Sequence, residues 1–204
     1  MNLYQNAKNL IKPIYDNFFY FIWFLKGCPS PPPHIAKRKY LLSISKKYFL
    51  NIFVETGTFK GDMINALKNN FTQLYSIEVS NSLYIVAKKR FSKYNKIRII
   101  EGDSAIKLEE LMNIINCSTL FWLDAHCSEG ITSQGEKYTP ILEEIKIILE
   151  TNLNHVIVID DLRLFDSDIN YPTFIEVENI VKNVNSNYLV FKKYDFIIIQ
   201  PNIL

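Results

Sequence analysis

From residue 51 onward, short apolar runs alternate with stretches of helical periodicity, and this alternation is the feature that most limits the possible folds. Apolar strands that alternate with helices indicate βαβ units and a parallel sheet buried on both faces. The predicted strands cover residues 51–55, 73–79, 96–102, 118–125 and 155–161, and the predicted helices cover roughly 60–69, 81–93, 104–115, 139–151 and 173–184.

Two more strands, at 188–193 and 195–200, surround a tight turn and predict an antiparallel hairpin at the end of the chain. Five βα units and a hairpin predict an α/β fold with one seven-stranded, mostly parallel, Rossmann-like sheet and helices on both faces. This is the arrangement of class I methyltransferases. A Rossmann dehydrogenase would need another parallel unit and usually its own substrate domain.

Residues 1–26 are predicted to be helical, and the segment GCPSPPPH at 27–34 breaks the helix because consecutive prolines impose an extended path. A second helix is predicted over roughly 35–47. We therefore expect an N-terminal helical extension over residues 1–47, with its proline-rich break at 27–34, and a methyltransferase domain over residues 48–204.

The composition, with 48% hydrophobic and 22% charged residues, is that of a globular protein. A net charge of +2 creates no strong field, so no nucleic-acid partner is expected. Three cysteines without CxxC spacing and the lack of a recognisable secretory signal favour a reducing, cytoplasmic location. The apolar stretch Phe18 to Leu25 is too short to span a bilayer. We expect it to pack on the domain or on an oligomer partner, with peripheral membrane contact through residues 1–26 as the alternative.

Every predicted parallel strand ends close to a carboxylate. In open α/β sheets, ligands bind beyond the carboxyl ends of the strands, at the point where the strand order reverses. The acids there are Glu55, Glu78, Asp103, Asp124 and the pair Asp160 and Asp161.

The first strand is followed by a glycine loop that predicts a nucleoside site. Its glycines allow a sharp turn and a close approach to a ligand, although a simple βα turn is an alternative. Glu78 follows about 20 residues later, where an acid pairs with ribose hydroxyls in nucleoside-binding folds. Asp103 and Ser104 would face the adenine, with helix capping as an alternative role. The predicted cofactor-binding residues are Glu55, Thr56, Gly57, Thr58, Gly61, Glu78, Asp103 and Ser104.

The acid Glu55 distinguishes between two candidate cofactors. A dinucleotide would bring its pyrophosphate past this residue, and like charges repel. S-adenosylmethionine carries a sulfonium and an ammonium group, which suit an acidic strand end. Methyl transfer is therefore favoured over hydride transfer.

Asp124, Asp160 and Asp161 lie at the ends of two predicted strands that are expected to be neighbours, and they predict a site for Mg²⁺ or another divalent cation. Such a cation makes an acceptor hydroxyl more acidic. Ordinary strand-end and turn-capping roles are the alternative. His126, two positions after Asp124, is predicted to be the general base or a substrate ligand, since its pKa lies near neutrality. The polar loop 127–138 suits a lid or substrate-binding segment.

The segments VETGTFKGDM, YSIEVS, EGDS, FWLDAH, TPILEEI and HVIVIDDLRLF occur in this order. Over roughly residues 26–200 the chain resembles a group of small bacterial class I S-adenosylmethionine-dependent methyltransferases. More distantly, it resembles the macrocin O-methyltransferase-like sugar methylases, and this likeness implies Mg²⁺ on Asp124, Asp160 and Asp161. Those enzymes have a catalytic acid where this chain has His126.

The predicted function is therefore S-adenosylmethionine-dependent, metal-assisted O-methylation, with Asp124 and His126 as catalytic residues. The acceptor is expected to be a hydroxyl of a sugar, a polysaccharide or a related small molecule, by analogy alone. Two alternatives stay open: a metal-independent methyltransferase, and a nucleoside-binding accessory module without catalysis.

Overall fold

The computed structural model describes residues 15–124, 139–151 and 153–202. Its strands are β1 (Ile52–Thr56), β2 (Gln73–Glu78), β3 (Ile97–Glu101), β4 (Leu120–Leu123), β5 (Val156–Ile159), β6 (Tyr188–Lys193) and β7 (Phe196–Pro201). Its helices are α1 (helical over 15–25), α2 (His34–Lys47), α3 (Asp62–Leu67), α4 (Asn81–Phe91), α5 (Ser104–Met112), α6 (Ile141–Leu149) and α7 (Phe174–Val184), with a short 3₁₀ turn at Leu162–Leu164.

The seven strands form one sheet in the order β3-β2-β1-β4-β5-β7-β6. Strands β1 to β5 pair in parallel, and β7 pairs antiparallel with both β5 and β6. The predicted fold class is confirmed, including the C-terminal hairpin. The predicted strands and helices agree with the observed ones, with small differences at their ends.

Alternate residues of the strands face two separate apolar layers, which is why the strands read as nearly continuous apolar runs. On one face, Val54 of β1 belongs to a cluster with residues of α5, α6 and α7. On the other face, Phe53 belongs to a cluster with residues of α2, α3 and α4. Leu41 and Ile44 of α2 are part of this second cluster, so α2 packs directly on the sheet.

Helix α1 contacts the rest of the protein through Trp23, whose ring centre lies 5.1 Å from that of Tyr194, and through Tyr20, whose ring centre lies 4.1 Å from Lys39 Nζ. Most of its other aromatic side chains, Phe18 and Phe24 among them, are exposed. Among the described residues, no helix has the length and apolar character needed to cross a bilayer. Contact of residues 1–26 with a membrane or a second subunit and the domain boundary after residue 47 stay predictions, and residues 1–14 lie outside the described part.

Candidate active site

The strand order reverses between β1 and β4, because β2 and β3 lie on one side of this pair and β5 on the other. The backbone continues the parallel pairing just past the strand ends. The amide of Asp124 donates to the carbonyl of Thr56 (3.2 Å), and the amide of Asp160 donates to that of Leu123 (3.0 Å). The loop after β1 and the acids after β4 and β5 therefore lie side by side at the reversal point, where α/β sheets bind ligands.

A cavity of about 180 Å³ opens at this point. Five predicted site residues line it, namely Glu55, Gly57, Thr58, Asp124 and Asp160. The first turn of α2 closes another side with His34 and Lys37. The glycine loop after β1 (residues 57–61), called the donor loop below, and the strand-end acids Asp124 and Asp160 thus share one cavity.

Glu55 is buried at the base of this cavity. The hydroxyl of Ser76 donates to Glu55 Oε2 (2.7 Å) and is hydrogen-bonded to that of Thr58 (2.6 Å). Burial raises the pKa of Glu55 well above its usual range, opposed by the Ser76 hydrogen bond and reinforced by the charges of Asp124 and Glu78. A cationic ligand beside Glu55 would favour the ionised carboxylate and so relieve part of this cost.

Gly57 and Gly61 both have positive φ angles, +84° and +71°, a region that side chains with a Cβ rarely adopt. A Cβ on Gly57 would lie 3.3 Å from the Cβ of Asp124, and a Cβ on Gly61 would lie 2.6 Å from Cε2 of Phe91. Gly57 thus lets the donor loop approach Asp124, which follows β4, and Gly61 lets the start of α3 approach α4.

Glu78 is buried and holds the same loop in place. The amide of Phe59 donates to its Oε2 (2.8 Å), and the amide of Ser80 donates to its Oε1 (2.9 Å). Each carboxylate oxygen has a second lone pair for a further donor. Contact of Glu78 with a ribose therefore stays a prediction. Its hydrogen bonds to the two loop amides are a structural role that the sequence did not reveal.

Asp103 caps helix α5, since its Oδ1 accepts from the amides of Ala105 (2.9 Å) and Ile106 (3.4 Å). Helix capping, the alternative role suggested by the sequence, is therefore observed for Asp103. Contact of Asp103 or Ser104 with an adenine stays a prediction.

Asp124, Asp160 and Asp161 each offer a carboxylate oxygen, and the three atoms lie within 4.8 Å of one another. Asp160 and Asp161 are buried. Burial raises the pKa of Asp160 to about 7; the Lys37 ammonium opposes this rise, and the charges of Asp161 and Asp124 add to it. Three converging hard oxygen donors fit a Mg²⁺-type cation, which accepts a few carboxylates and keeps waters on its other positions.

Within the described residues, two cationic side chains contact this cluster. Lys37 of α2 forms an ion pair and hydrogen bond with Asp160, and its Nζ lies 3.9 Å from Asp161 Oδ1. Arg163 donates to Asp161 Oδ1 (2.7 Å) and pairs with the buried Asp195. Part of the negative charge of the cluster is therefore compensated from within the chain.

Residues 125–138 lie outside the described part of the chain. This range contains His126 and the predicted lid 127–138, so the general base and the lid stay predictions.

Sequence reasoning missed Lys37, which lines the cavity, and Glu144, which interacts with the predicted cofactor-binding residues Thr56 and Ser104. Lys37 follows His34 by three positions, a spacing that places both on one face of a helix, and this was an available signal. Glu144 interrupts the apolar face formed by Ile141, Ile145 and Ile148 of α6, where a charged residue is unusual. The side chains of Thr56 and Ser104 hydrogen-bond Glu144, which links the end of β1 to the start of α5.

Burial raises the pKa of Glu144 to about 7. Its pKa is higher in the folded than in the unfolded chain, so its contribution to stability is full below about pH 4.5 and is lost as the pH rises to about 7. Glu144→Gln removes this titration. Between pH 5 and pH 8, urea unfolding should show the wild type losing up to about 3 kcal/mol more than the variant. Glu143→Gln, an exposed neighbour on α6, is the control, and parallel pH curves for wild type and Glu144→Gln would refute the assignment.

The architecture matches solved structures of methyltransferases. An O-methyltransferase from Bacillus cereus in complex with SAH has a TM-score of 0.58 at 14% identity, over 96% of this chain and 94% of that one. The O-methyltransferase TomG from Streptomyces achromogenes in complex with SAM has a TM-score of 0.61 at 16% identity, over 91% and 88%. The chain has the class I methyltransferase fold.

The SAH-bound methyltransferase PaMTH1 from Podospora anserina shares this fold, with a TM-score of 0.56 at 12% identity over 98% of this chain and 97% of that one. No protein-family profile and no curated protein sequence matches the chain. The resemblance to class I methyltransferases is thereby confirmed for the fold, and activity has to be argued from the site.

Proposed function

We propose that this protein is an S-adenosylmethionine-dependent O-methyltransferase, with a divalent cation at Asp124, Asp160 and Asp161. The observation that carries the proposal is the shared cavity at the strand-order reversal. There the donor loop at Gly57 would bring an added Cβ to within 3.3 Å of Asp124. A donor on this loop and an acceptor at these carboxylates would be neighbours, as group transfer requires.

The donor side has three parts. The end of β1 and the loop after it contribute Glu55, Thr56, Gly57, Thr58 and Gly61, the end of β2 contributes Glu78, and the start of α5 contributes Ser104 with its N-cap Asp103. When bound, S-adenosylmethionine supplies a methyl group on a positively charged sulfur. A positive charge beside Glu55 would favour the ionised form of this buried acid, and Glu78 holds the loop through the amide of Phe59. The SAH and SAM complexes of the Bacillus cereus enzyme and of TomG support this ligand class.

The acceptor side consists of the carboxylates that follow β4 and β5, namely those of Asp124, Asp160 and Asp161. When bound, a divalent cation lowers the pKa of an acceptor hydroxyl. Asp124 and Asp160 line the cavity, where they can orient a hydroxyl by accepting its hydrogen bond. We assign the proton-accepting role to His126 because of its spacing from Asp124 and because an unperturbed histidine has a pKa near neutrality. A sugar, polysaccharide or small-molecule hydroxyl is the proposed acceptor class, which rests on the resemblance to sugar methylases.

A metal-independent methyltransferase is the second candidate, because Lys37 already brings a positive charge to Asp160. Methyl transfer to a panel of hydroxylated acceptors, measured with Mg²⁺ and with excess EDTA, separates the two. Loss of turnover on chelation supports the metal-assisted function. Unchanged turnover supports the metal-independent one.

Donor binding is tested by calorimetric titration with S-adenosylhomocysteine. We expect Gly57→Ala to weaken binding about tenfold, because the αL strain of about 1–2 kcal/mol and the contact with Asp124 shift the loop. Gly27→Ala is the control, since Gly27 has a similar φ of +79° and open space around its Cα. No binding by the wild type at millimolar ligand would refute the proposed function.

A further inference from the structure

Lys37 is an unusual lysine because its ammonium lies inside the acidic cluster. The side chain is only 17% exposed, and Nζ is hydrogen-bonded to Asp160 Oδ2 and 3.9 Å from Asp161 Oδ1. Nζ also lies 5.9 Å from the ring centre of the buried Trp122. The packing of Leu41 and Ile44 of α2 against the sheet fixes the helix that brings Lys37 there.

A divalent cation would use the same oxygens. Mg²⁺ binds carboxylate oxygens at about 2.1 Å, so an ion on Asp160 Oδ2 would lie within a few ångströms of the Lys37 ammonium that is hydrogen-bonded to the same atom. The two positive charges would also repel each other in a buried site, where screening by water is weak.

Arg163 and Lys37 pair mainly with different carboxylates of the cluster. Arg163 pairs with Asp161 and Asp195, whereas Lys37 pairs mainly with Asp160. If Lys37 moved away, Asp161 would keep the Arg163 cation, and the carboxylate of Asp160 would lose the positive charge of Lys37. The flexible stem of a lysine allows such a movement within the cavity that Lys37 lines.

We propose that the Lys37 ammonium and a divalent cation compete for Asp160, so that Lys37 is the resident cation of this site and leaves Asp160 when a metal ion binds. The inference rests on the metal site of the proposed function and concerns what controls its occupancy. It makes Lys37 the residue that sets the metal affinity, and it predicts that the affinity measured for the wild type includes the cost of displacing Lys37.

The test is titration of the full chain with Mn²⁺, followed by the loss of the free-ion electron paramagnetic resonance signal. Lys37→Met should bind Mn²⁺ at least about tenfold more tightly than the wild type, because no ammonium has to be displaced. Lys37→Arg, which keeps the charge, should bind no more tightly than the wild type. Lys46→Met removes an exposed lysine from the same helix and should change nothing. Equal or weaker Mn²⁺ binding by Lys37→Met would overturn the inference.

The wild type provides a second measurement that does not depend on the folding of Lys37→Met. Lysines carrying ¹³C-methyl groups give one resonance each, and the one missing in Lys37→Arg belongs to Lys37. Saturating Mg²⁺ should shift this resonance, and a resonance that stays in place would overturn the inference.

S-adenosylhomocysteine affinity is measured on the same samples. Absence of Mn²⁺ binding in wild type and variants with normal donor binding would overturn both the metal site and the inference while the donor site stands. Equal Mn²⁺ binding by wild type and Lys37→Met would overturn the inference alone.

Discussion

Replacing Asp160 with asparagine is expected to lower methyl transfer on the order of 100-fold, while S-adenosylhomocysteine affinity stays within about threefold of the wild type. Asp160 lines the cavity, is a proposed metal ligand and pairs with Lys37. The substitution removes its charge but keeps its shape. The Oδ1 atom can still accept from the amide of Asp161, a bond of 2.9 Å in the wild type. The expected loss of turnover is therefore due to the missing charge of the Asp160 carboxylate and not to a displaced backbone.

The test compares the turnover of wild type and variant with an acceptor that the panel of hydroxylated compounds has identified. S-adenosylhomocysteine affinity and thermal unfolding are measured on the same preparations. Glu178→Gln, an exposed carboxylate on α7, is the control. If Asp160→Asn kept a turnover within threefold of the wild type, Asp160 would have no role in the reaction, whether or not a metal ion is bound. Loss of donor binding in parallel with turnover would show damage to the whole cavity.

Gly61→Ala is expected to destabilise the protein by about 2–4 kcal/mol, with a fall in Tm of about 5–10 °C. The φ angle of +71° strains any residue with a Cβ, and the new atom would lie 2.6 Å from Cε2 of Phe91. Phe91 is 3% exposed and packs in the apolar cluster between the sheet and helices α2, α3 and α4, so its ring has little room to move.

Gly27→Ala separates the two causes, because it has a φ of +79° and no atom within 4 Å of the added Cβ. Its cost should be about 1 kcal/mol, from the backbone alone. A second test is the double variant Gly61→Ala with Phe91→Leu, whose smaller side chain relieves the overlap. Urea unfolding should then give a cost below the sum of the single variants. Additive costs, or a Gly61→Ala cost equal to that of Gly27→Ala, would refute the steric explanation.

The acids at the strand ends could be predicted from the sequence because each depends on a short local pattern. Asp124 and Asp160 each follow a short apolar run, and the carboxyl ends of parallel neighbouring strands meet at one edge of a sheet. Glu78 was placed at the correct strand end for the same reason. Its bonds to the amides of Phe59 and Ser80 could not be predicted, because the direction of a side chain depends on how the neighbouring loop folds back.

Lys37 shows that sequence patterns also fail to predict contacts between residues far apart in the chain. Nothing local connects a lysine in the second described helix with an aspartate more than 100 residues later. The contact exists because Leu41 and Ile44 pack α2 onto the same face of the sheet as Trp122. Glu144 is a similar case, since its partners Thr56 and Ser104 come from two other strand-helix connections.

The sequence by itself determined the elements, their alternation, the hairpin and the row of acids, because each of these depends on residue periodicity and on the chemistry of short segments. The tertiary structure alone decided which cations face those acids, which carboxylates hold backbone amides, and which glycines must stay glycine. These depend on distances between residues far apart in the chain, and packing sets such distances only when the whole sheet and its helices have formed.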